Sequence, residues 1–349
     1  MTILDRSKVR SDVLKIMDAY LGIQLQVIPK FLEKEENKGV DFQALWKKVM
    51  DGNERFFKGE NMSGFLTMDE QLFLTRFHRF GTEYGADLVQ KRNPIPKDVK
   101  IEIIDANGVP AEWQIVPSAV EERVLLYLHG GGYSIGSPND HRLLTVQLGR
   151  ATKMRVLSVD YRLAPEYPHP APLEDSITVY KWLLSKDIKP ENIIIAGDSA
   201  GGNLTLVTLI KLRDDGISLP AGAFCLSPVT DYALTGESFF KNAERDVFLA
   251  DAGLFWWTEA HLARADTRDP LVSPLFADLK GLPPLLIQAS TSEMLYDDSR
   301  LFVERAKAAG VDATLEVWDD MMHVFQAFGL PESKEAITNI SKFVKKLFI

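Results

Sequence analysis

Apolar residues recur at helical spacing along the first part of the chain. The segments VRSDVLKIMDAYLG, DFQALWKKVM and MDEQLFLTRFHRFGTEY place them three or four positions apart, and no alternation typical of a strand accompanies them. The segment KRNPIPKD, with its two prolines, then ends this pattern. The sequence therefore predicts that residues 1–95 are helical.

From about residue 99 the pattern changes to short apolar runs separated by stretches of helical periodicity. VKIEIID and AEWQIV predict two paired strands, and further runs predict strands that alternate with helices: RVLLYLH, MRVLSVDY, NIIIAG, AGAFCLSP, PPLLIQAS and ATLEVW. Nearly continuous apolar strands with helical connections are typical of a parallel sheet covered on both faces. The predicted fold class is a doubly wound α/β core in two parts, residues 96–231 and 271–349. Residues 232–270, rich in Phe and Trp, are predicted to be an inserted helical piece.

Charge and composition restrict the kinds of partner. The chain has 349 residues and a formal net charge of −9, which argues against nucleic acid or an anionic membrane as main partner because both attract basic surfaces. No segment approaches the roughly 20 apolar residues that span a bilayer, and the charged N-terminus lacks the apolar region of a signal peptide. The single cysteine, Cys225, allows no intrachain disulfide. We expect a cytoplasmic protein without stable membrane anchoring.

A candidate nucleophile lies in the segment GDSAG, residues 197–201, which matches the pattern G-x-S-x-G. A β-branched strand pattern ends at this segment and an amphipathic helix pattern begins right after it. A strained turn between such a strand and helix projects a serine hydroxyl above the sheet, and small neighbours let the two backbones approach. The context predicts that Ser199 is a nucleophile.

A second signal lies in HGGGY, which begins at His129 directly after a predicted strand. Successive glycines leave backbone N–H groups free to bind the oxyanion that forms during acyl transfer. Nucleotide binding is unsupported, because the G-x-G-x-x-G spacing and a P-loop lysine are missing. His129 itself is interpreted as a structural residue that braces the loop.

Four segments together, HGGGY, DYRLAPE, GDSAGGNL and SPLFADLKGLPP, resemble those of the hormone-sensitive-lipase-like α/β-hydrolases, the family IV carboxylesterases. The resemblance spans about residues 95–349. It implies an α/β-hydrolase fold, in which a mostly parallel eight-stranded sheet has helices on both faces and a helical cap formed by residues 1–95 and 232–270. The HGGG segment lies later here than in most relatives, which predicts either extra helices in the cap or another purpose for the first residues.

The same resemblance implies a serine carboxylesterase that hydrolyses short- to medium-chain acyl esters through an acyl-enzyme. It assigns the oxyanion hole to the backbone N–H groups of Gly131, Gly132 and Ala200. The partner would be a small-molecule ester, and neither a metal nor another cofactor is expected, since no H-E-x-x-H or paired C-x-x-C segment is present. Related esterases dimerise through the edge of the final strand, so a homodimer is an expectation that the sequence leaves open.

The base should follow the serine, because this fold orders its triad as serine, acid and histidine. Only His261 and His323 follow Ser199. His261 belongs to a presumed cap helix, whereas His323 follows the last predicted strand, where the family places its base. The prediction is His323. The histidines that precede the serine are His78, His129, His141 and His169.

Three carboxylates follow the next-to-last predicted strand, in the segment TSEMLYDDSR. Asp297 and Asp298 look like the capping turn of the next helix, where free N–H groups favour aspartate. Glu293 is nearest the strand end, where active-site residues of open α/β sheets collect. In the family comparison EML occupies the place of the usual D-x-L. Glu293 is the predicted acid, a departure from the usual aspartate, and Asp297 is the second candidate.

The substrate pocket is predicted from aromatic residues of the cap and from the neighbours of the two glycine-rich segments. Aromatic residues at helical spacing are equally typical of simple packing, so both interpretations stay open. The candidates are Tyr133, Asp198, Phe77, Phe80, Tyr84, Phe248, Phe255, Trp256 and Trp257.

Two alternatives to an esterase were weighed. An amidase or deacetylase would use the same triad, and the sequence cannot separate the leaving groups. A receptor without activity is the other alternative, since plant gibberellin receptors resemble this family. Such a receptor should lack part of the triad, whereas this chain has a serine, an acid and a histidine in the expected order.

Overall fold

The computed structural model describes residues 3–348, and an eight-stranded sheet runs through its centre in the order β1-β2-β4-β3-β5-β6-β7-β8. β2 pairs antiparallel with β1 and β4, while all other neighbours are parallel. The predicted α/β-hydrolase class with a mostly parallel eight-stranded sheet is confirmed. The strands are β1 Lys100–Asp105, β2 Pro110–Ile115, β3 Val120–Leu128, β4 Met154–Val159, β5 Ile193–Asp198, β6 Gly222–Leu226, β7 Leu285–Ser290 and β8 Ala313–Trp318.

The central strands are buried on both faces, which explains their continuous apolar pattern. Along β3, Val124, Leu126 and Leu128 belong to the apolar cluster on one face, and Leu125 and Tyr127 belong to the cluster on the other. Successive side chains of a strand point to opposite faces, so a strand between two helical layers must be apolar at every position.

Helices cover both faces of the sheet, as predicted. The cluster on one face receives apolar side chains from α5, α6 and α9, and the cluster on the other face receives them from α4 and α10. The helices of the core are α4 Pro138–Thr152, α5 Ala171–Ser185, α6 Ala200–Asp214, α9 Tyr296–Ala308 and α10 Pro331–Leu347.

The first 95 residues contain three long helices, α1 Ser11–Leu32, α2 Phe42–Phe57 and α3 Met68–Arg92. Their apolar faces form one cluster with Phe255 and Trp256 from α8 (Leu254–Leu262). The amphipathic faces of these helices therefore bury against the inserted segment as well as against one another.

The inserted segment is less helical than its pattern predicts. Besides α8 it contains one short α-helix, α7 Ser238–Lys241, and the rest consists largely of turns and loops. Side chains stabilise these turns; Asp246, for example, accepts hydrogen bonds from the N–H groups of Phe248 and Leu249 at 3.1 and 3.0 Å. Aromatic content therefore indicated burial here rather than helix. No helix within residues 3–348 has the length and apolar character needed to cross a membrane.

Candidate active site

Ser199 occupies a sharp turn between the end of β5 and the start of α6. Its backbone has φ 52° and ψ −120°, a conformation that costs a non-glycine residue roughly 1–3 kcal/mol and persists only where the surroundings enforce it. The Ser199 N–H is held by the Leu226 carbonyl at 2.8 Å. The side chain is half-buried and lines a cavity, as expected for a serine that must meet a substrate.

The two glycines that flank the serine are required by close backbone approach. A Cβ at Gly201 would lie 2.0 Å from the Leu128 carbonyl oxygen, and a Cβ at Gly197 would lie 2.4 Å from the same atom. Backbone atoms at these distances cannot move aside without disturbing the β3–β5 pairing. The G-x-S-x-G pattern is therefore a packing requirement of this turn as well as a chemical signature.

Glu293 and His323 form a buried hydrogen bond with each other. His323 Nδ1 lies 2.7 Å from Glu293 Oε2. The other carboxylate oxygen accepts from the Ser290 N–H at 2.7 Å and from the Ser227 hydroxyl at 2.9 Å. With Nδ1 donating to the carboxylate, His323 Nε2 is the nitrogen left to accept a proton, and it has no hydrogen-bond partner within residues 3–348. His323 and Ser199 line the same cavity.

The electrostatics of this pair favour a charged imidazole. Burial alone lowers the pKa of His323, but the hydrogen bond and the charge of Glu293 outweigh it and raise the pKa above its usual value. Asp246 and Asp198 act in the same direction. Burial raises the pKa of the Glu293 carboxyl, yet every contact to its oxygens is a donation, which suits the ionised form. The pair can therefore hold a proton taken from a nearby hydroxyl.

The other two carboxylates of the same segment have structural partners elsewhere. Asp297 Oδ2 accepts from the Ser238 N–H at 2.9 Å, and Asp298 Oδ1 accepts from the N–H groups of Thr230 and Asp231 at 2.6 and 2.9 Å. The predicted capping role is wrong, because α9 begins after Leu295 without a side-chain cap. Both aspartates lie in the first turn of α9, but Asp298 binds the loop that leads into the insertion and Asp297 binds the first residue of α7.

The glycine loop after β3 presents backbone donors to the cavity. Gly131 and Gly132 have φ 115° and 59°, and a Cβ on Gly131 would lie 2.3 Å from the Ile135 carbonyl oxygen. Within residues 3–348 the N–H groups of these two glycines donate to no acceptor. Ala200, as the first residue of α6, carries one of the N–H groups that a helix cannot satisfy itself. These are the three positions predicted to bind an oxyanion.

Asp198 ties the glycine loop to the serine turn. Its Oδ1 accepts from the Gly130 N–H at 3.0 Å and from the Tyr127 hydroxyl at 2.7 Å, and its Oδ2 lies 3.3 Å from His141 Nε2. His129 stacks on Tyr161 with ring centroids 4.3 Å apart, which suits its predicted bracing role. Asp198 also borders the cavity, as predicted.

The cavity above Ser199 has a volume of about 790 Å³, within the range of small-molecule sites. Of the predicted aromatic residues, Phe77, Phe248 and Trp257 line it. Trp257 also packs against Gly132, where a Cβ would lie 2.2 Å from the indole ring. Among residues 3–348, no three His, Cys, Asp or Glu side chains converge on a position that could hold a metal ion.

Tyr133 and Trp256, two of the predicted pocket residues, lie outside the cavity lining because each packs in a buried cluster, Tyr133 in that of the sheet and Trp256 in that of the N-terminal helices. The Tyr133 hydroxyl donates to Asn203 Oδ1 at 2.6 Å, and its ring stacks on His261 at 3.7 Å. This stacking also explains His261, which is buried and does not line the cavity. Trp256 is buried and stacks on His78 at 6.0 Å.

The remaining three candidates pack among the N-terminal helices. Phe80 stacks on Tyr84, and the Lys34 ammonium lies over the Phe80 ring at 4.3 Å. Phe255 packs edge-on against Phe65 at 5.8 Å. Helical spacing predicted that these side chains are buried. It did not predict whether they pack against other helices or line the cavity.

Sequence reasoning missed several residues at the site. α1 contributes Met17, Tyr20, Leu21, Gln24 and Leu25 to the cavity wall, a role that its amphipathic pattern does not separate from ordinary packing. His78 from α3 also lines the cavity, and burial lowers its pKa to about 4. Asp246 was not a candidate because nothing in its local sequence marks it. Its Oδ2 accepts from the N–H of Met294, the neighbour of Glu293, at 2.9 Å.

Comparison with known proteins adds independent information. A family model described as the alpha/beta hydrolase fold matches residues 125–327. An acetyl-hydrolase of Streptomyces hygroscopicus is 42% identical over 246 residues, 70% of this chain and 82% of that protein. An esterase of Acinetobacter venetianus is 39% identical over 252 residues, 71% of this chain and 83% of that protein. The crystal structure of an esterase from the bacterial hormone-sensitive lipase family superposes with a TM-score of 0.75 at 43% identity, covering 87% of this chain and 98% of that one.

Proposed function

Because this chain belongs to the hormone-sensitive-lipase-like α/β-hydrolases and is a carboxylic ester hydrolase, we propose that Ser199, His323 and Glu293 are its nucleophile, base and acid. The observation that carries the proposal is the 2.7 Å hydrogen bond between His323 and Glu293, which leaves Nε2 unpaired in the cavity of Ser199. Asp297 is not proposed as the acid, since its two oxygens bind the Ser238 N–H and Arg300.

The proposed reaction has two half-reactions. Ser199 Oγ attacks the ester carbonyl carbon while its proton passes to His323 Nε2. The tetrahedral intermediate collapses, the C–O bond to the alcohol breaks, and His323 returns the proton to the departing alkoxide oxygen. Water then attacks the acyl-enzyme by the same route and releases the carboxylic acid. Glu293 holds the imidazole tautomer and stabilises the imidazolium in both halves.

We propose that the N–H groups of Gly131, Gly132 and Ala200 form the oxyanion hole. Two of them donate to no acceptor among residues 3–348, and the third lies at the start of a helix whose dipole favours negative charge. Donors fixed before the reaction stabilise the oxyanion without reorganisation.

The proposed substrates are short- to medium-chain acyl esters of small alcohols. A cavity of about 790 Å³ with largely apolar walls suits such acyl groups, and the names acetyl-hydrolase and esterase of two relatives support acyl esters as the class. We propose further that residues 1–95 and 232–270 form a cap over a core of residues 96–231 and 271–349. The cluster that joins α1–α3 to α8 supports this division.

Hydrolysis of p-nitrophenyl esters from acetate to laurate tests the proposal, with Ser199→Ala as the matched variant. The wild type should be fastest between butyrate and octanoate, and Ser199→Ala should lose ~10⁴-fold or more in kcat. The p-nitroanilides of the same acids should react far more slowly. Equal rates for the anilides would assign the enzyme to amides, and an unchanged Ser199→Ala rate would remove the serine from the mechanism.

A further inference from the structure

Ser227 lies directly after β6 and is fully buried, beside the acid. Its hydroxyl donates to Glu293 Oε1 at 2.9 Å and accepts from the Val324 N–H at 3.3 Å. Its own N–H donates to the Gln288 carbonyl of β7 at 2.7 Å. One side chain thus contacts both the loop that carries the acid and the loop that carries the base, since Val324 follows His323 in the chain.

The direction of these hydrogen bonds is determined by their partners. A backbone N–H can only donate and a carboxylate oxygen can only accept, so the Ser227 hydroxyl must point its proton at Glu293. The carboxylate then has one oxygen for His323 and the other for Ser290 and Ser227. A hydroxyl that both donates and accepts is needed at this position, and an aliphatic side chain could do neither.

The backbone conformation of Ser227 indicates that surrounding contacts hold this residue in place. Its φ is 49°, in the left-handed region that favours glycine, and Val324 has φ 52°. Strained backbone of this kind clusters at functional sites and is maintained by surrounding contacts. The hydroxyl therefore joins two strained turns to the acid, and glycine would suit the backbone of Ser227 better than serine does.

We propose that Ser227 is a positioning residue. It orients the Glu293 carboxylate toward His323 and fixes the loop that carries Glu293 relative to the loop that carries His323. The inference rests on the proposed function. It also explains how a glutamate can serve where relatives use aspartate: the longer side chain places one oxygen on His323 and lets Ser227 and the Ser290 N–H hold the other. Ser227 touches no reacting atom and acts only through the acid and the base loop.

The test compares Ser227→Gly with the wild type and with Ser199→Ala. Glycine fits the backbone, so the variant should fold with a Tm within a few degrees of wild type. Loss of a hydrogen bond to a charged group should lower kcat by about 10- to 100-fold and leave KM unchanged. Ser227→Ala should give the same loss of kcat. Ser292→Ala is the matched control, since this hydroxyl lies on the acid loop but faces Asp320 at 3.2 Å, and its kcat should match wild type.

A double-mutant cycle shows whether Ser227 acts through the acid. In a Glu293→Ala background, Ser227→Gly should lower kcat by clearly less than in the wild type, because the carboxylate it orients is gone and only its contact with the Val324 N–H remains to be lost. Equal losses in both backgrounds, or a Ser227→Gly kcat within twofold of wild type, would overturn the inference while an inactive Ser199→Ala upheld the proposed function. A Ser199→Ala variant as active as wild type would instead reject the proposed function.

Discussion

The two sides of the cavity are held in place by different kinds of contact. On the core side, backbone meets backbone: Gly201 lies against the Leu128 carbonyl, and the Ser199 N–H binds the Leu226 carbonyl. On the cap side, side chains of the insertion bind the backbone of the acid loop. Asn242 Nδ2 donates to the Glu293 carbonyl at 2.8 Å, and Asp246 accepts from the Met294 N–H at 2.9 Å.

This difference indicates how each side tolerates change. Main-chain contacts do not depend on which side chain is present, provided that it is small, so the contacts of Gly201 and of the Ser199 N–H should be sensitive mainly to added volume. The Asp198 carboxylate is the exception on this side, since it binds the Gly130 N–H of the glycine loop. Side-chain contacts are lost one at a time by substitution. We therefore expect steep losses from enlarging core-side glycines and graded losses from trimming the cap side.

The largest effect is expected where both sides meet, at Glu293. Glu293→Gln removes the charge that stabilises the imidazolium and disturbs the His323 tautomer, so kcat should fall by about 10⁴-fold. Steady-state kinetics on p-nitrophenyl butyrate measures it. Asp297→Asn, on the same segment, should keep near-wild-type kcat because it contacts Ser238 and Arg300 instead. A crippled Asp297→Asn beside an active Glu293→Gln, both folded, would reverse the assignment of the acid.

The next largest effect is expected from enlarging a glycine on the core side of the cavity. Gly131→Ala puts a methyl group 2.3 Å from the Ile135 carbonyl oxygen at φ 115°, which should displace the N–H donors and lower kcat by about 10²–10³-fold. Gly22→Ala in α1, with nothing within 4 Å, is the control and should raise the unfolding free energy by up to about 1 kcal/mol without changing kcat. Denaturant titration measures the unfolding free energy of both variants, and steady-state kinetics measures their kcat. Wild-type turnover in folded Gly131→Ala would contradict a role for this loop.

A smaller effect is expected on the cap side. Asp246→Ala leaves the Met294 N–H without its partner and loosens the acid loop, so kcat should fall by ~10-fold with KM little changed. Asp266→Ala is the control, because the carboxylate of this exposed aspartate of the same insertion accepts, within residues 3–348, only from the nearby Arg268 N–H. If both variants behave like wild type, the insertion does not support the acid.

The smallest effect is a displacement of the pH profile. His323 must be neutral to accept the serine proton, and the Glu293 carboxylate raises its pKa. Activity should therefore fall as the pH drops through a value above the usual ~6.5 of histidine. In Glu293→Gln the acid limb of the residual kcat/KM should move to lower pH, and in Asp246→Ala it should move less in the same direction. An acid limb that stays in place in Glu293→Gln would show that the acid does not set the pKa of the base.

Local sequence predicted the parts of the site that depend on chain order and on backbone geometry. Ser199 was identified by its glycines between a strand and a helix, and His323 and Glu293 by their places after late strands. In the structure Ser199 and His323 line one cavity, and Glu293 is hydrogen-bonded to His323. Sequence did not identify Ser227 or Asp246, since their roles arise from contacts 66 and 48 residues away along the chain. The residues adjacent to Ser227 and Asp246 in the sequence carry no pattern that predicts such a contact.

The pocket residues also show what local sequence does not predict, namely which neighbour a buried side chain contacts. Phe80, Tyr84 and Trp256 follow a helical pattern that predicted burial, and they are partly or fully buried, but against other helices and outside the cavity. Leu21 and Leu25 have the same kind of pattern and do line it. Periodicity predicts which face of a helix is apolar. Only the packing of that helix determines whether this face contacts another helix or lines the cavity.

By itself the sequence determined the fold class, the serine turn and the order of the candidate residues, because strand burial and tight turns restrict which residues can occupy each position. The tertiary structure alone decided which carboxylate reaches His323, what holds it there, and which helices line the cavity. Those outcomes depend on distances between segments far apart in the chain. One oxygen of Glu293 binds His323, and the fold supplies a buried hydroxyl and a backbone N–H for its second oxygen.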